Sequence, residues 1–140
     1  GQMIRLAPDP VALIDEAPVG RLYRDGRLIV SGEGSVRERR RLAFAGIVAI
    51  GMAMSRRGEL LSDPSIAMEG IPAETADGMP MTEVVFDAID GTLRSIPAGK
   101  RRDIELVRDA VRRSVRAAIE QVWGKKPIAK VLINVVDTRR

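Results

Sequence analysis

Two stretches of the chain alternate larger apolar residues with smaller or polar ones, a period of two that predicts β-strands. In residues 47–54 the larger set is Val48, Ile50, Met52 and Met54. In residues 128–136 the apolar set is Ala129, Val131, Ile133 and Val135, which alternate with Lys130, Leu132 and Asn134. A further extended segment is expected over residues 59–68, with a bend at Asp63-Pro64 because the residue before proline avoids the helical region.

Apolar residues at spacings of three and four predict two helices between these strands. The first is expected over residues 82–93, with Thr82 as N-cap, and its apolar stripe is Val85, Ala88, Ile89 and Leu93. The second is expected over residues 100–123, ended by Gly124, and its stripe is Ile104, Val107, Val111, Val115, Ala118, Ile119 and Val122. We expect Phe86 and Trp123, which lie on these helices, to pack inward.

Residues 1–43 contain fewer large apolar residues, and we interpret them as a linker or arm. Residues 3–6 predict a short strand, which Pro8 and Pro10 end because proline donates no backbone hydrogen bond. Asp25-Gly26 joins residues 20–24 to residues 27–30 and predicts a β-hairpin with a primed turn. Ser35 is expected to cap a short helix that runs through Arg41.

The order strand, strand, helix, helix, strand in residues 44–140 predicts an α+β fold. Its simplest form is a two-layer sandwich, in which two helices cover one face of a three-stranded sheet. We therefore expect a linker arm with a β-hairpin over residues 1–43, followed by an α/β domain over residues 44–140.

Histidine and cysteine are both absent from the 140 residues. Catalytic zinc sites depend on histidine, and serine or cysteine nucleophiles usually need a histidine base. The composition therefore predicts no catalytic residue, no metal site and no cofactor in this chain. Asp87 and Asp90 are interpreted as solvated acids rather than as magnesium ligands.

The charge balance restricts the possible functions less than the missing histidine and cysteine do. Basic residues number 23 and acidic residues 19, which permits a nucleic-acid partner without requiring one. No apolar run reaches the length of about 18 residues that a membrane span needs, and no signal peptide is visible. We expect a cytoplasmic location and no membrane partner. Because the chain starts with Gly1-Gln2, we expect either a fragment of a longer protein or a tag scar before Met3.

Five segments, in order along the chain, are similar to segments of the ribonuclease J family. Residues 20–26, GRLYRDG, resemble that family's GRVYVDG, and residues 36–42, VRERRRL, resemble its VLRDRRKL. Residues 46–48, GIV, match the opening of a strand in the family. Residues 58–64, GELLSDP, resemble GKLLSDPEI, and residues 125–128, KKPI, resemble the run KRRPMILP before the last strand.

The resemblance implies the C-terminal region of a bacterial ribonuclease with a zinc-binding metallo-β-lactamase core and an inserted β-CASP domain upstream. The implied parent degrades RNA in the 5′–3′ direction as an exoribonuclease and also cuts it internally as an endoribonuclease. In that family the C-terminal domain is associated with oligomerisation and full activity. The implied partners are therefore a second copy, forming a homodimer, and the catalytic domains of the parent chain. Residues 3–6 would be the last strand of the catalytic core, left without its neighbours.

Two groups of arginines are candidates for weak RNA binding: Arg37, Arg39, Arg40 and Arg41 in the short helix, and Arg108, Arg112 and Arg116 in the last predicted helix. The first group could steer RNA toward a catalytic neighbour or pin its helix to acidic residues of other domains. The second group could contact phosphates. Glu105, Asp109 and Glu120 lie three or four residues from it, however, which favours a solvated, ion-paired face.

The sheet face turned away from the helices supplies the candidate interface, which comprises Ile47, Ala49, Leu132, Asn134 and Val136. Such a face is too apolar to be simply wet, although Lys130 and Asn134 interrupt it. Another protein surface or residues 7–30 of the arm could cover it, and both alternatives stay open. The favoured interpretation is a non-catalytic assembly domain. The rival is a stand-alone RNA-binding module, which predicts exposed aromatic side chains.

Overall fold

The computed structural model describes residues 1–8, 10–17 and 19–137. These residues belong to two units, Gly1–Arg40 and Arg41–Arg140. The predicted domain boundary between residues 43 and 44 stays a prediction.

The first unit contains two antiparallel hairpins. Strand β1 (Gln2–Arg5) pairs with β2 (Ala12–Glu16), and β3 (Leu22–Asp25) pairs with β4 (Leu28–Ser31). The first strand thus has β2 as a neighbour within this chain, and its expected place as the last strand of a catalytic core stays a prediction. Pro8 and Pro10 lie in the connection, where their missing N–H groups cost the strand pairing nothing. β2 was not predicted because most of its residues are exposed on both faces, so no period of two marks it.

The hairpin between β3 and β4 confirms the predicted turn, with one change in its geometry. Gly26 has a φ of 59°, whereas no residue other than glycine has a positive φ in the described chain. A positive φ at the first central position alone is the pattern of a type II′ turn, so Gly26-Arg27 forms the loop. Asp25 stays in β3, opposite Leu28.

Helix α1 (Ser35–Ala45) is about one turn longer than predicted and ends at Gly46. Gly46 has a φ of 65°, and a Cβ atom there would lie 2.6 Å from the carbonyl oxygen of Glu69. Only glycine meets both the positive φ and this close approach. The chain therefore passes directly from α1 into the first strand of the second unit.

The second unit is a three-stranded mixed sheet with two helices. Its strands are β5 (Ile47–Ser55), β6 (Ser65–Glu69) and β7 (Ile128–Val136), in the order β6-β5-β7. β5 is antiparallel to β6 and parallel to β7. Helices α2 (Met81–Ser95) and α3 (Ile104–Trp123) lie in the crossover between the two parallel strands, as such a pairing requires. The arrangement confirms the predicted α+β fold.

The core lies between the helices and one face of the sheet. The predicted face of β5 is buried, and so is most of the predicted stripe of α3. The fully buried residues of the two are Val48, Ile50, Met54, Val107, Val111, Val115 and Ile119. From the edge strand β7, Ala129 and Val131 are also buried. Aliphatic side chains thus fill the core of a chain that has only four aromatic residues.

Three residues that we expected in the core are exposed instead. Val122 is 40% exposed because it lies beside the open groove between α2 and α3. Val135 is 48% exposed because it lies near the end of β7, an edge strand with β5 on one side only. Phe86 is 39% exposed on α2, beside a surface hollow formed with Leu60 and Pro64.

Two helix starts also differ from the prediction. α2 begins at Met81, and Thr82 is an exposed residue of its first turn rather than the N-cap. The N-cap is Pro80, without a side-chain capping bond, and the backbone N–H of Met81 donates to the carbonyl oxygen of Ala73. A short 3-10 helix, Ala98–Lys100, precedes α3, whose N-cap is Asp103 with its side chain accepting from the Leu106 N–H. Gly124 ends α3 with a φ of 79°, as predicted.

Candidate functional site

The described residues contain no group of three or more histidine, cysteine, aspartate or glutamate side chains placed to hold a metal ion. The zinc of the implied parent enzyme has no fitting ligand set here, because histidine and cysteine are missing from the whole sequence. No helix within the described ranges has the length and apolarity needed to cross a membrane.

Two of the four arginines of α1 contact side chains of β3, and the other two form no ion pair with a described residue. Arg39 forms a two-pronged ion pair with Asp25, at 2.7 and 3.0 Å between nitrogen and oxygen. Hydrogen bonding from Arg39 holds the pKa of Asp25 below its usual value, and the same bond raises the pKa of Arg39. Arg40 lies over the ring of Tyr23, 5.8 Å from its centroid. Arg37 and Arg41 are exposed and have no ion pair to a described residue.

The three candidate arginines of α3 each contact a residue of the second unit. Arg108 pairs with Glu105. Arg112 pairs with Asp109 at 3.1 Å. Arg116 donates to the carbonyl oxygen of Pro127 at 3.0 Å and so ties α3 to the start of β7.

These contacts favour the interpretation of α3 as a solvated, ion-paired face. One expected pairing is different, because Glu120 pairs with Lys126 at 2.8 Å instead of with Arg116. The proposed RNA contacts of Arg108, Arg112 and Arg116 stay a prediction, to which the ion pairs give no support.

The sheet face away from the helices, called here the open face, brings the candidate interface residues together. Ile47 and Ala49 are half-buried, Asn134 and Val136 are exposed, and Leu132 is 66% exposed. Leu132 lies opposite Gly51 in the register of β5 and β7. A shallow groove of about 210 Å³ runs beside it, and its lining includes Ala49, Gly51, Ser65 and Ala67. The side chains of β5 and β6 beside Leu132 are small, so they form this groove rather than cover the leucine.

A third surface was not predicted from the sequence. Phe44 lies in the last turn of α1, and its side chain is 68% exposed. The Lys125 ammonium lies 4.7 Å from the centroid of the Phe44 ring and 5.2 Å from that of Trp123. Lys125 also donates to the carbonyl oxygen of Phe44 at 3.2 Å. We call Phe44, Trp123 and Lys125 the aromatic cluster.

One signal in the sequence could have indicated a basic side chain beside Phe44. Arg41 and Phe44 are three residues apart, so a helix that continues beyond Arg41 places them on one face. The short helix expected from the sequence ended before Phe44 and hid this relation. The contribution of Lys125 follows from tertiary structure alone, since it lies 81 residues from Phe44.

Comparison with known proteins agrees with this architecture. Residues 34–136 match the family described as the ribonuclease J C-terminal domain. The chain is also 44% identical, over 137 residues, to a ribonuclease J of Sinorhizobium meliloti. That alignment covers 97% of this chain and 24% of the relative, so the chain spans about a quarter of the length of the protein it matches. The family match covers most of the chain, and the chain therefore belongs to the ribonuclease J family, as a C-terminal domain.

Proposed function

We propose that this chain is a non-catalytic assembly domain, which holds copies of a ribonuclease J together through the open face of its sheet. The observation that supports this proposal is the 66% exposure of Leu132 on a strand whose opposite face buries Ala129 and Val131. An exposed leucine beside a groove of small residues gains stability only when another surface covers it.

A two-fold symmetric dimer would bury this surface on both copies. Across a two-fold axis the same patch meets itself, so each buried residue counts twice. Covering a leucine that is two-thirds exposed contributes roughly 1–2 kcal/mol. Val136 and the half-buried Ile47 and Ala49 extend the same apolar surface. Lys130 and Asn134 interrupt it and would lie at the rim or pair across the axis.

Catalysis is proposed to belong to other parts of the parent enzyme. The absence of histidine leaves this chain without a zinc ligand set or a general base of the usual kind. We therefore assign the zinc-dependent 5′–3′ exoribonuclease and endoribonuclease activities, in the cytoplasm, to the catalytic domains, which would be the second partner of this chain. Its own part in RNA degradation and processing would be to set the spacing and number of catalytic domains.

The test is the mass of the 140-residue chain in solution. Size-exclusion chromatography with light scattering, over a hundredfold range of protein concentration, should show a dimer that dissociates on dilution. A monomer of 15.3 kDa at every concentration would contradict the proposal. The mass is measured without RNA, so binding of RNA to the arginines of α1 does not affect this test.

A further inference from the structure

We propose that the aromatic cluster of Phe44, Trp123 and Lys125 binds an unpaired base of single-stranded RNA, with Phe44 as the stacking surface. This inference rests on the proposed function in one respect, namely that the parent enzyme acts on RNA. It does not depend on self-association, because the cluster shares no residue with the open face.

The exposure of Phe44 is the first step of the argument. Phe44 is the most exposed of the aromatic side chains, of which the chain has four. Gly46 fixes the position of the ring, because its positive φ ends α1 and turns the chain into β5. The ring therefore sits at the end of a helix rather than on a loop. A pre-positioned aromatic surface loses little conformational freedom when a flat ligand stacks on it.

The position of Lys125 is the second step. Its ammonium lies within 5.2 Å of both ring centroids, which is the range of cation–π attraction. The hydrogen bond to the Phe44 carbonyl oxygen holds it there. Lys125 thus places a positive charge next to an exposed aromatic ring. In a bound nucleotide the phosphate would meet the charge and the base would meet the ring. Aromatic rings beside a basic track are the usual means of binding unpaired nucleic acid.

The surrounding charges are the third step. Arg41 lies one helical turn before Phe44, and it is exposed without an ion pair to a described residue. Residues three apart on a helix have Cβ atoms about 5–6 Å from each other, which brings Arg41 within reach of a neighbouring phosphate. Lys126 is engaged with Glu120, so these two charges cancel locally. Arg41 and Lys125 remain as two positive charges beside the ring.

Charge also distinguishes RNA from a protein partner. A protein contact at an exposed phenylalanine would favour an apolar or mixed surround, such as the open face provides. Two cations beside the ring instead favour a polyanion, and the stacking of any base explains how binding can be sequence-tolerant. The chemistry that fits is a single-stranded RNA segment with at least one base free to leave its own stack.

The experiment compares two labelled twelve-residue strands by fluorescence anisotropy at low salt, using the 140-residue chain. One strand is oligouridine and the other has the same ribose-phosphate backbone without bases, so that both carry equal charge. The wild-type chain should bind oligouridine several-fold more tightly than the abasic strand. Phe44→Ala should bind oligouridine roughly tenfold more weakly, the effect of losing one stacked base. Phe44→Tyr should keep wild-type affinity.

Phe86→Ala is the matched control, since Phe86 is also a partly exposed aromatic residue on a helix of the same unit. It should bind both strands as the wild type does. Trp123 supplies a second readout without any label, because it is the only tryptophan. Its fluorescence should change with oligouridine and not with the abasic strand.

Equal affinity of the wild-type chain for the two strands would overturn the proposal, as would wild-type binding by Phe44→Ala. Absence of any binding at low salt would overturn it as well. Sedimentation of Phe44→Ala without RNA separates the two proposals. Wild-type association is expected, whereas loss of association with unchanged RNA affinity would make Phe44 a protein contact.

Discussion

Gly51 lies directly opposite Leu132 in the parallel register of β5 and β7, on the face of the sheet that the helices do not cover. Because Gly51 has no side chain, the exposed leucine has no side-chain neighbour at that position on β5. A Cβ atom at Gly51 would meet only the Cβ of Ser65, at an ordinary distance of 3.7 Å. The hollow beside Leu132 therefore results from the missing side chain of Gly51, and the neighbouring atoms leave room for a methyl group there.

Two glycines of the second unit should respond oppositely to alanine. Gly51→Ala should leave the free energy of unfolding unchanged or raise it by about 0.5–1 kcal/mol, because alanine restricts the unfolded chain. Gly46→Ala should lower it by about 2–3 kcal/mol, because the positive φ is strained for alanine and its Cβ would collide with the Glu69 carbonyl oxygen. Urea unfolding followed by circular dichroism measures both. Equal effects of the two substitutions would show that the backbone at Gly46 can relax.

The Asp25–Arg39 ion pair should weaken in acid. The pKa of Asp25 is lowered in the folded chain, so its contribution to stability is present above the pKa of an unfolded aspartate and is lost as pH falls through the lower folded value. The window therefore lies below about pH 4. Carboxyl chemical shifts of Asp25 during an NMR titration should report the low midpoint.

Asp25→Asn is the control for that titration. It should remove the acid-dependent change in the amide shifts of Arg39 while leaving the hairpin turn at Gly26 intact. A wild-type midpoint at or above that of a free aspartate would show that the ion pair does not form in solution.

The purified chain should not cleave RNA. Incubation of labelled single-stranded RNA with zinc, manganese or magnesium is expected to leave the substrate intact, because no metal-ligating group of the required kind is available. Denaturing gel electrophoresis measures the remaining full-length strand. Cleavage that co-purifies with the chain through successive columns would contradict the assignment of catalysis to other domains.

RNA binding should be weak, salt-sensitive and indifferent to sequence. Arg41 has no ion pair to a described residue, whereas Arg112 is paired with Asp109. Arg41→Ala should therefore reduce the slope of log affinity against log salt by about one, and Arg112→Ala should change it much less. Affinity titrations at several salt concentrations decide between them. An equal loss of slope for the two variants would place RNA on α3 as well as on α1.

How far the sequence predicts the fold depends on how many faces of each element are buried. β5 and α3 each bury one face and expose the other, so Val48 and Val107 recur with the periods of a strand and a helix. β2 buries neither face and left no pattern to detect. The end of α1 was misplaced because Gly46, rather than the last arginine, terminates it.

The surfaces were predictable to different degrees. The exposure of Leu132 follows from alternation once Val131 is assigned to the core, and the structure confirms it. The approach of Lys125 to Phe44 depends on where α3 ends and β7 begins, which local periodicity does not encode. The contact of Arg116 with the Pro127 carbonyl oxygen likewise depends on tertiary structure, and the RNA contact of Arg116 stays a prediction.

The central claim, self-association through the open face, is tested most directly by sedimentation velocity of Leu132→Asp beside Arg112→Ala. An aspartate at residue 132 must be desolvated twice across a two-fold axis, so the dimer should be lost. Because Leu132 lies outside the core, the circular dichroism spectrum should stay that of the wild type. Arg112→Ala should sediment as the wild-type dimer does. A Leu132→Asp variant that associates as strongly as the wild type would contradict the claim and place the interface elsewhere, on the arm or the helices.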